Sequence, residues 1–291
     1  MPIAVSPLRY PGGKTCLLSV VADILRRNGL VGKPYVEPFA GGAGLALSLL
    51  FEDCVSEIHI NDIDEGIWAF WESVLHNTDA FIDRMLSTPI DMNEWHRQSA
   101  ILNDATSSVL DLGFAVFFLN RTNRSGIIKN AGPIGGKTQA GNYKLDCRFN
   151  KDTLLRRISK VAEFREKIFL TKEDAREFVT AKENQLPKDS FFCIDPPYFQ
   201  KGSSLYTSFY KPEDHKQLAQ SILDLQSNWI ITYDNVPDIR ELYSSRRQYQ
   251  FDLNYSVQVK RVGKEVMVAS KGLRLPEVIK EGMIHQPRVQ V

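Results

Sequence analysis

The apolar run Phe191-Phe192-Cys193-Ile194 stops at Asp195-Pro196-Pro197-Tyr198, an ending that fits the edge of a sheet and little else. Neither proline can donate to a ladder, and the first pushes the residue before it out of the helical region. The acid is therefore expected at the carboxyl end of a buried strand, where open α/β sheets bind their ligands. A carboxylate, a proline carbonyl with no helix to join and an aromatic ring then converge on one small volume. That trio suits an exocyclic amino group on a flat base. The two oxygens accept its N–H bonds, and the ring stacks on the base. The plainer alternative is a strand followed by a rigid turn, with Tyr198 only packing.

Strand-like and helix-like segments alternate around this point. Residues 35–39 and 56–60 read as short strands, each followed by a helical pattern, at 45–51 and 64–76. Residues 79–120 look helical in pieces, broken near Pro89 and at 104–107. The rhythm resumes with a helix from Lys151, a strand at 167–171, a helix near Asp174 and the strand at 191–194. A helix at 212–225, with proline in its first turn, leads to a strand at 229–233. Two late strands, at 249–255 and 265–270, read as a closing hairpin. The expected fold is α/β, a Rossmann-like doubly wound and mostly parallel sheet with an antiparallel hairpin. The mostly helical stretch 76–157 interrupts it as an inserted domain, dividing the body into 1–75 and 158–272. Residues 273–291 carry little pattern and are expected to be a loosely held tail.

Composition removes several classes of function. The longest apolar stretch, 114–119, is far too short to span a bilayer, and Met1 to Val5 lacks the marks of a signal peptide. Cys16, Cys54, Cys147 and Cys193 form no C-x-x-C pair, and the five histidines form no ligand cluster. A cytoplasmic protein without a metal is expected. Net charge is only +1, but it is unevenly spread. Residues 121–160 hold 10 Lys and Arg against 2 Asp, a net +8, and the other 26 basic and 33 acidic residues leave −7. One strongly basic segment on an otherwise acidic body reads as an anion-binding surface or as a solvated basic face.

A strand, the glycine-rich turn Ala40-Gly41-Gly42-Ala43-Gly44, a helix, and Asp62 at the end of the next strand form an arrangement that binds an adenosine-containing cofactor. Asp62 can accept bonds from two ribose hydroxyls or cap the following helix, a task Asp64 serves equally well. Pro11-Gly12-Gly13-Lys14-Thr15 is not a phosphate-binding P-loop, because the required first glycine falls at Leu8.

Arg9-Tyr10-Pro11-Gly12-Gly13-Lys14, Glu37-Pro38-Phe39-Ala40-Gly41-Gly42, Asn61-Asp62-Ile63-Asp64 and Asp195-Pro196-Pro197-Tyr198 occur in this order. Together they resemble the Dam-type, adenine-specific DNA methyltransferases that use S-adenosylmethionine. Phe117-Phe118-Leu119-Asn120-Arg121-Thr122 also resembles the lead into that family's inserted target-recognition region. The resemblance spans about 7–270. It implies that Tyr10 and Lys14 line the cofactor's methionine end, that Glu37, Phe39 and Gly41 form its loop, and that Asp62 holds the ribose. It further implies Ile63 against the cofactor's adenine and, more loosely, Asp174 near that adenine's amino group, where Ala175 departs from the usual aromatic residue. Ala43 replaces a glycine found in some members, and 121–141 departs from the best-known ones.

The reaction implied is methyl transfer to the 6-amino group of adenine in double-stranded DNA, with Asp195, Pro196 and Tyr198 as the catalytic group. A paired amino group must leave the stack first, and acceptors already in place stabilise the charge that develops on nitrogen. Arg121, Arg124, Lys129 and Lys137 are the expected DNA contacts in 76–157, while Tyr206, Phe209 and Tyr210 either cover the flipped base or only pack. His215 is expected to be structural. No obligate protein partner is evident. Two alternatives remain: the same chemistry on cytosine, RNA or a protein amide, and a catalytically silent DNA-binding relative. The host process stays open among restriction–modification, regulation, repair and phage biology.

Overall fold

The apolar runs bounded by turn residues become strands of a single sheet. β1 (Tyr35–Glu37), β2 (Ile58–Asn61), β3 (Ile168–Thr171), β4 (Phe191–Ile194) and β5 (Asn228–Asp234) lie parallel. β6 (Arg247–Tyr255), β7 (Arg261–Ala269) and β8 (Met283–His285) extend the β5 edge antiparallel. The order across the sheet is β3-β2-β1-β4-β5-β7-β6-β8. The structure is a computed structural model that describes residues 5–10, 12–200, 210–255 and 261–287. Strand order reverses between β1 and β4, the switch point at which a doubly wound sheet opens a crevice beyond its carboxyl ends. Glu37 and Asp195 stand at that crevice.

Helices cover both faces. On one lie α1 (Leu18–Arg27), α2 (Gly44–Phe51), α3 (Glu65–His76), α4 (Thr78–Ser87), α6 (Val109–Thr122) and α7 (Lys151–Glu163), with α5 (Met92–Leu102) against α6. On the other lie α8 (Ala175–Gln185), α9 (Pro212–Leu223) and α10 (Pro237–Leu242). Side chains of a strand alternate between faces, and β4 shows it: Phe191 and Cys193 enter the first core, Phe192 and Ile194 the second. Each such buried side chain contributes about 1.5–3 kcal/mol, which is why a central parallel strand reads as an unbroken apolar run.

The helical segment 76–157 breaks where the sequence predicts. Asp91 caps α5 and Ser108 caps α6, each accepting a backbone N–H of its helix's first turn. α6 lies so close along α3 that a Cβ on Gly113 would meet the Ala69 carbonyl oxygen at 2.4 Å. Phe114, Phe117 and Phe118 thereby join Phe70 and Trp71 in the core of this face, so the expected insertion shares that core. Residues 123–149 form short 3-10 turns and an isolated bridge between Asn123 and Pro133.

Residues 273–285 differ from the expectation of a loosely held tail. Leu273, Leu275 and Ile279 are buried, a short α11 (Glu277–Lys280) follows, and β8 adds to the β6 edge. The Gln250 N–H donates to the Gly282 carbonyl at 2.6 Å. Three apolar side chains at irregular spacing make no helical or strand period, so the pattern that reveals core-facing elements is missing here.

Candidate active site

β4 delivers Asp195 to the crevice and the two prolines end the strand there. In the β4–β5 register Ile194 pairs with Ile231, which brings Thr232 beside Asp195, and the Thr232 hydroxyl donates to Asp195 Oδ1 at 2.8 Å. Lys14 Nζ reaches the same oxygen at 2.9 Å and Glu265 Oε2 at 3.7 Å, and it donates to the Gly12 carbonyl at 3.2 Å. The Tyr198 ring lies 5.5 Å from that ammonium, and its hydroxyl donates to Glu265. Asp195, Lys14, Tyr198 and Glu265 therefore form one connected group. Burial pushes Glu265 up to about 7, against the pull of Lys14. Burial and the nearby Asp195 hold Glu37 well above the usual carboxylate range, and its Oε2 is buried with no hydrogen-bond partner among the described residues.

The glycine-rich turn is built to let other groups come close. Gly41 has φ +45°, and a Cβ there would stand 2.6 Å from the Tyr10 ring. Its carbonyl accepts from Trp71 Nε1 at 2.9 Å, and its N–H donates to Asp62 Oδ2 at 2.8 Å. Asp62 Oδ1 takes the Asp64 N–H at 3.0 Å, while Asp64 caps α3 through the N–H groups of Gly66 and Ile67. The cap belongs to Asp64, which leaves the half-buried Asp62 on the cavity wall. Burial pushes the Asp62 carboxyl up to about 7, opposed by those two N–H bonds. Ala43 holds φ 45° and ψ 28° at the start of α2, a left-handed conformation that costs a residue with a Cβ about 1–2 kcal/mol.

These groups line one cavity of about 860 Å³. Tyr10, Lys14, Glu37, Phe39, Gly41, Asp62, Ile63 and Asp195 all border it. Ile63 is 49% exposed, an apolar side chain on the cavity wall. Pro196 is buried behind Pro197, which does reach the lining. Asp174 does not reach the lining: it caps α8 and is paired with Arg176 Nε at 2.9 Å. Tyr210 borders the cavity and meets the Phe39 ring edge-on at 5.9 Å, whereas Tyr206 and Phe209 lie outside the described residues. His215 is buried with Nδ1 2.8 Å from the Tyr233 hydroxyl, as befits a structural residue.

Among the expected DNA contacts, Arg124, Lys129 and Lys137 are exposed, and Lys129 also borders the cavity. Arg121 is not on the exposed surface with them. It is only 6% exposed, and its Nε donates to the Pro7 carbonyl at 2.7 Å, because the N-terminal segment crosses the end of α6. Burial, compounded by the charges of Arg157, Arg9 and Arg148, lowers its guanidinium to about 9. Sequence reasoning missed Thr232, Glu265 and Asp234, whose carboxylate takes the N–H groups of Phe199 and Gln200 at 2.9 and 3.1 Å. Glu265 had one visible signal, a lone acid leading the apolar strand segment Val266-Met267-Val268.

Residues 10–259 match the family of D12 class N6 adenine-specific DNA methyltransferases. The chain belongs to that family. It is an adenine-specific DNA methyltransferase, and such an enzyme implies S-adenosylmethionine as methyl donor and DNA as substrate. The Type II methyltransferase M.MjaIII of Methanocaldococcus jannaschii is 27% identical over 231 residues, 73% of this chain and 77% of that protein. Two solved structures are also similar. A Pyrococcus horikoshii protein described as an RNA methyltransferase has 11% identity and a TM-score of 0.42 over 90% of this chain and 85% of its own. The rRNA methyltransferase aviRa of Streptomyces viridochromogenes has 13% identity and a TM-score of 0.38 over 94% and 89%. No helix among the described residues of this methyltransferase is long and apolar enough to cross a membrane, and no group of three metal-ligating side chains is found among them.

Proposed function

We propose that this methyltransferase acts on adenine flipped out of duplex DNA, by direct in-line transfer at Asp195, Pro196 and Tyr198. The observation that carries the reading is the placement of the Asp195 carboxylate at the switch point, bordering the same cavity as the glycine-rich turn. The residues suit S-adenosylmethionine. Asp62 offers acceptors for vicinal hydroxyls, Ile63 offers an apolar face, and the partnerless Glu37 Oε2 and Asp195 suit a cationic ligand end. Tyr10 and Lys14, over the turn, line the methionine end in this reading, with Phe39 and Gly41 beside them. When bound, the cofactor supplies an electrophilic methyl group.

The protein's own groups do the rest. An adenine amino nitrogen is a weak nucleophile because its lone pair is delocalised into the ring. Asp195 and the Pro196 carbonyl, accepting both N–H bonds, favour a nitrogen whose lone pair points toward the methyl group. As positive charge grows on nitrogen, these acceptors stabilise it without having to reorganise. Lys14 stands against Asp195 Oδ1 at 2.9 Å and Glu265 Oε2 at 3.7 Å, so its ammonium helps hold the Asp195 carboxylate in place at the crevice. Glu265 also fixes the Tyr198 hydroxyl, which holds the ring for stacking on the base.

Offering the purified protein duplex DNA, single-stranded DNA and RNA with labelled S-adenosylmethionine tests the substrate. The expected outcome is N6-methyladenine in duplex DNA. N4-methylcytosine, or label confined to RNA, would overturn the reading.

A further inference from the structure

Four arginines surround the N-terminal segment where it enters the cavity. Arg121 closes α6, Arg157 lies on α7 and donates through Nη1 to the Ser6 carbonyl at 3.1 Å, and Arg9 and Arg148 border the space between them. Among the described residues none of the four has a carboxylate within ion-pair distance. Arg9 Nη1 and Arg121 Nη2 are buried with no hydrogen-bond partner among them. Leaving a charged donor unsatisfied in the interior costs more than a surface arginine ever returns. Burial, and after it the neighbouring arginine charges, lowers the guanidinium pKa values of Arg9 and Arg121. A protein has little reason to build such a cluster for stability.

The position of the cluster says what kind of anion it takes. Arg9 and Arg148 border both the main cavity and a second, more open one of about 490 Å³, which Arg124 and Tyr143 also line. Tyr143 is 70% exposed, a ring available for stacking at the outer rim. A small molecule would fill one space or the other. A polymer strand that enters through the outer cavity and turns a base into the inner one must pass the arginines between them. We propose that Arg9, Arg121, Arg148 and Arg157 form one site for a backbone phosphodiester of the DNA substrate, gripping the strand where the target base leaves the helix. Guanidinium forks match phosphate oxygens in pairs, which fixes position as well as charge. The site thus orients the strand, and Asp195 performs the chemistry.

The proposal rests on the duplex DNA reading, and its test is chosen to separate the two. Duplexes carrying the methylated sequence, each with one neutral methylphosphonate linkage, are titrated with the protein in the presence of S-adenosylhomocysteine. One linkage should cost the wild type about tenfold or more in affinity, with a lower salt slope by about one. In Arg157→Ala and in the exposed Arg148→Ala, unmodified DNA should bind about as weakly as that duplex does to wild type. The methylphosphonate at that linkage should then cost little more. Arg148 makes no side-chain hydrogen bond among the described residues, so its variant controls for any loss of folding at Arg157. Equal sensitivity of wild type and both variants at every linkage would overturn the site. Weaker S-adenosylhomocysteine binding with unchanged DNA binding would also overturn it, assigning the cluster to the cofactor's carboxylate. If wild type makes no N6-methyladenine, the underlying reading fails instead.

Discussion

The strand-end half of the site and the basic segment that follows α6 are positioned by different physics. Asp195, Glu37, Asp62 and Glu265 sit on or just beyond strands, so the ladder register decides which side chains meet. The segment 123–149 has almost no ladder. Its backbone is held by side chains: Asn120 bonds Arg9 N–H and the carbonyls of Arg9 and Gly126, and Asn123 bonds those of Ile127 and Ile128. Gln139 does the same for Ile134, Gly136 and Leu145. The first mode is periodic along each strand and joins segments far apart in the chain. The second depends on single polar residues, most of them bonding groups three to six positions away, with Asn120 also tying the segment to Arg9.

That contrast can be broken by mutation. Among changes in binding, the largest is expected in the cofactor region. Asp62→Ala removes the proposed acceptor for the ribose hydroxyls and should raise the KM for S-adenosylmethionine about tenfold or more, with much of kcat recovered at saturation. Steady-state kinetics check it, and an unchanged KM would leave Asp62 only the role of tying Gly41 to Asp64. A smaller effect is expected in the basic segment. Replacing Arg124, Lys129 and Lys137 by Ala should flatten the log–log salt dependence of DNA binding by about 0.9 for each phosphate truly contacted. Binding titrations at several salt concentrations read this directly, and S-adenosylhomocysteine affinity should stay the same. An unaltered slope would reduce these three residues to a solvated face. The smallest effect concerns strain in the glycine-rich turn. Ala43→Gly should change stability by less than about 1 kcal/mol, since relief of the left-handed conformation is offset by added chain entropy and by loss of a buried methyl group. A urea midpoint within experimental reach of the wild type checks it, and a large loss of stability would show that the left-handed conformation carries no strain.

The same contrast explains what was legible in the sequence. Strands β1 to β7, the turn before α2 and the end of β4 announce themselves by apolar runs and by proline and glycine at fixed offsets. The pairing of Asp195 with Thr232 and of Tyr198 with Glu265 follows from register, which no run of residues states. The burial of Arg121 was not legible because charge counts along a segment treat all members alike, while α6 turns its last residues inward against the N-terminal strap. The burial of Leu273, Leu275 and Ile279 was not legible for want of a period.

The central claim is that a carboxylate at the end of β4 serves methyl transfer to adenine in DNA. Sequencing modified bases in DNA from cells expressing wild type or Asp195→Ala tests it most directly. The account predicts N6-methyladenine at one recurring sequence with the wild type. For the variant it predicts at least about a hundredfold lower transfer rate, since losing one preorganised acceptor costs that much, with S-adenosylhomocysteine binding retained. Equal methylation by the variant, or modified cytosine in place of adenine, would contradict it.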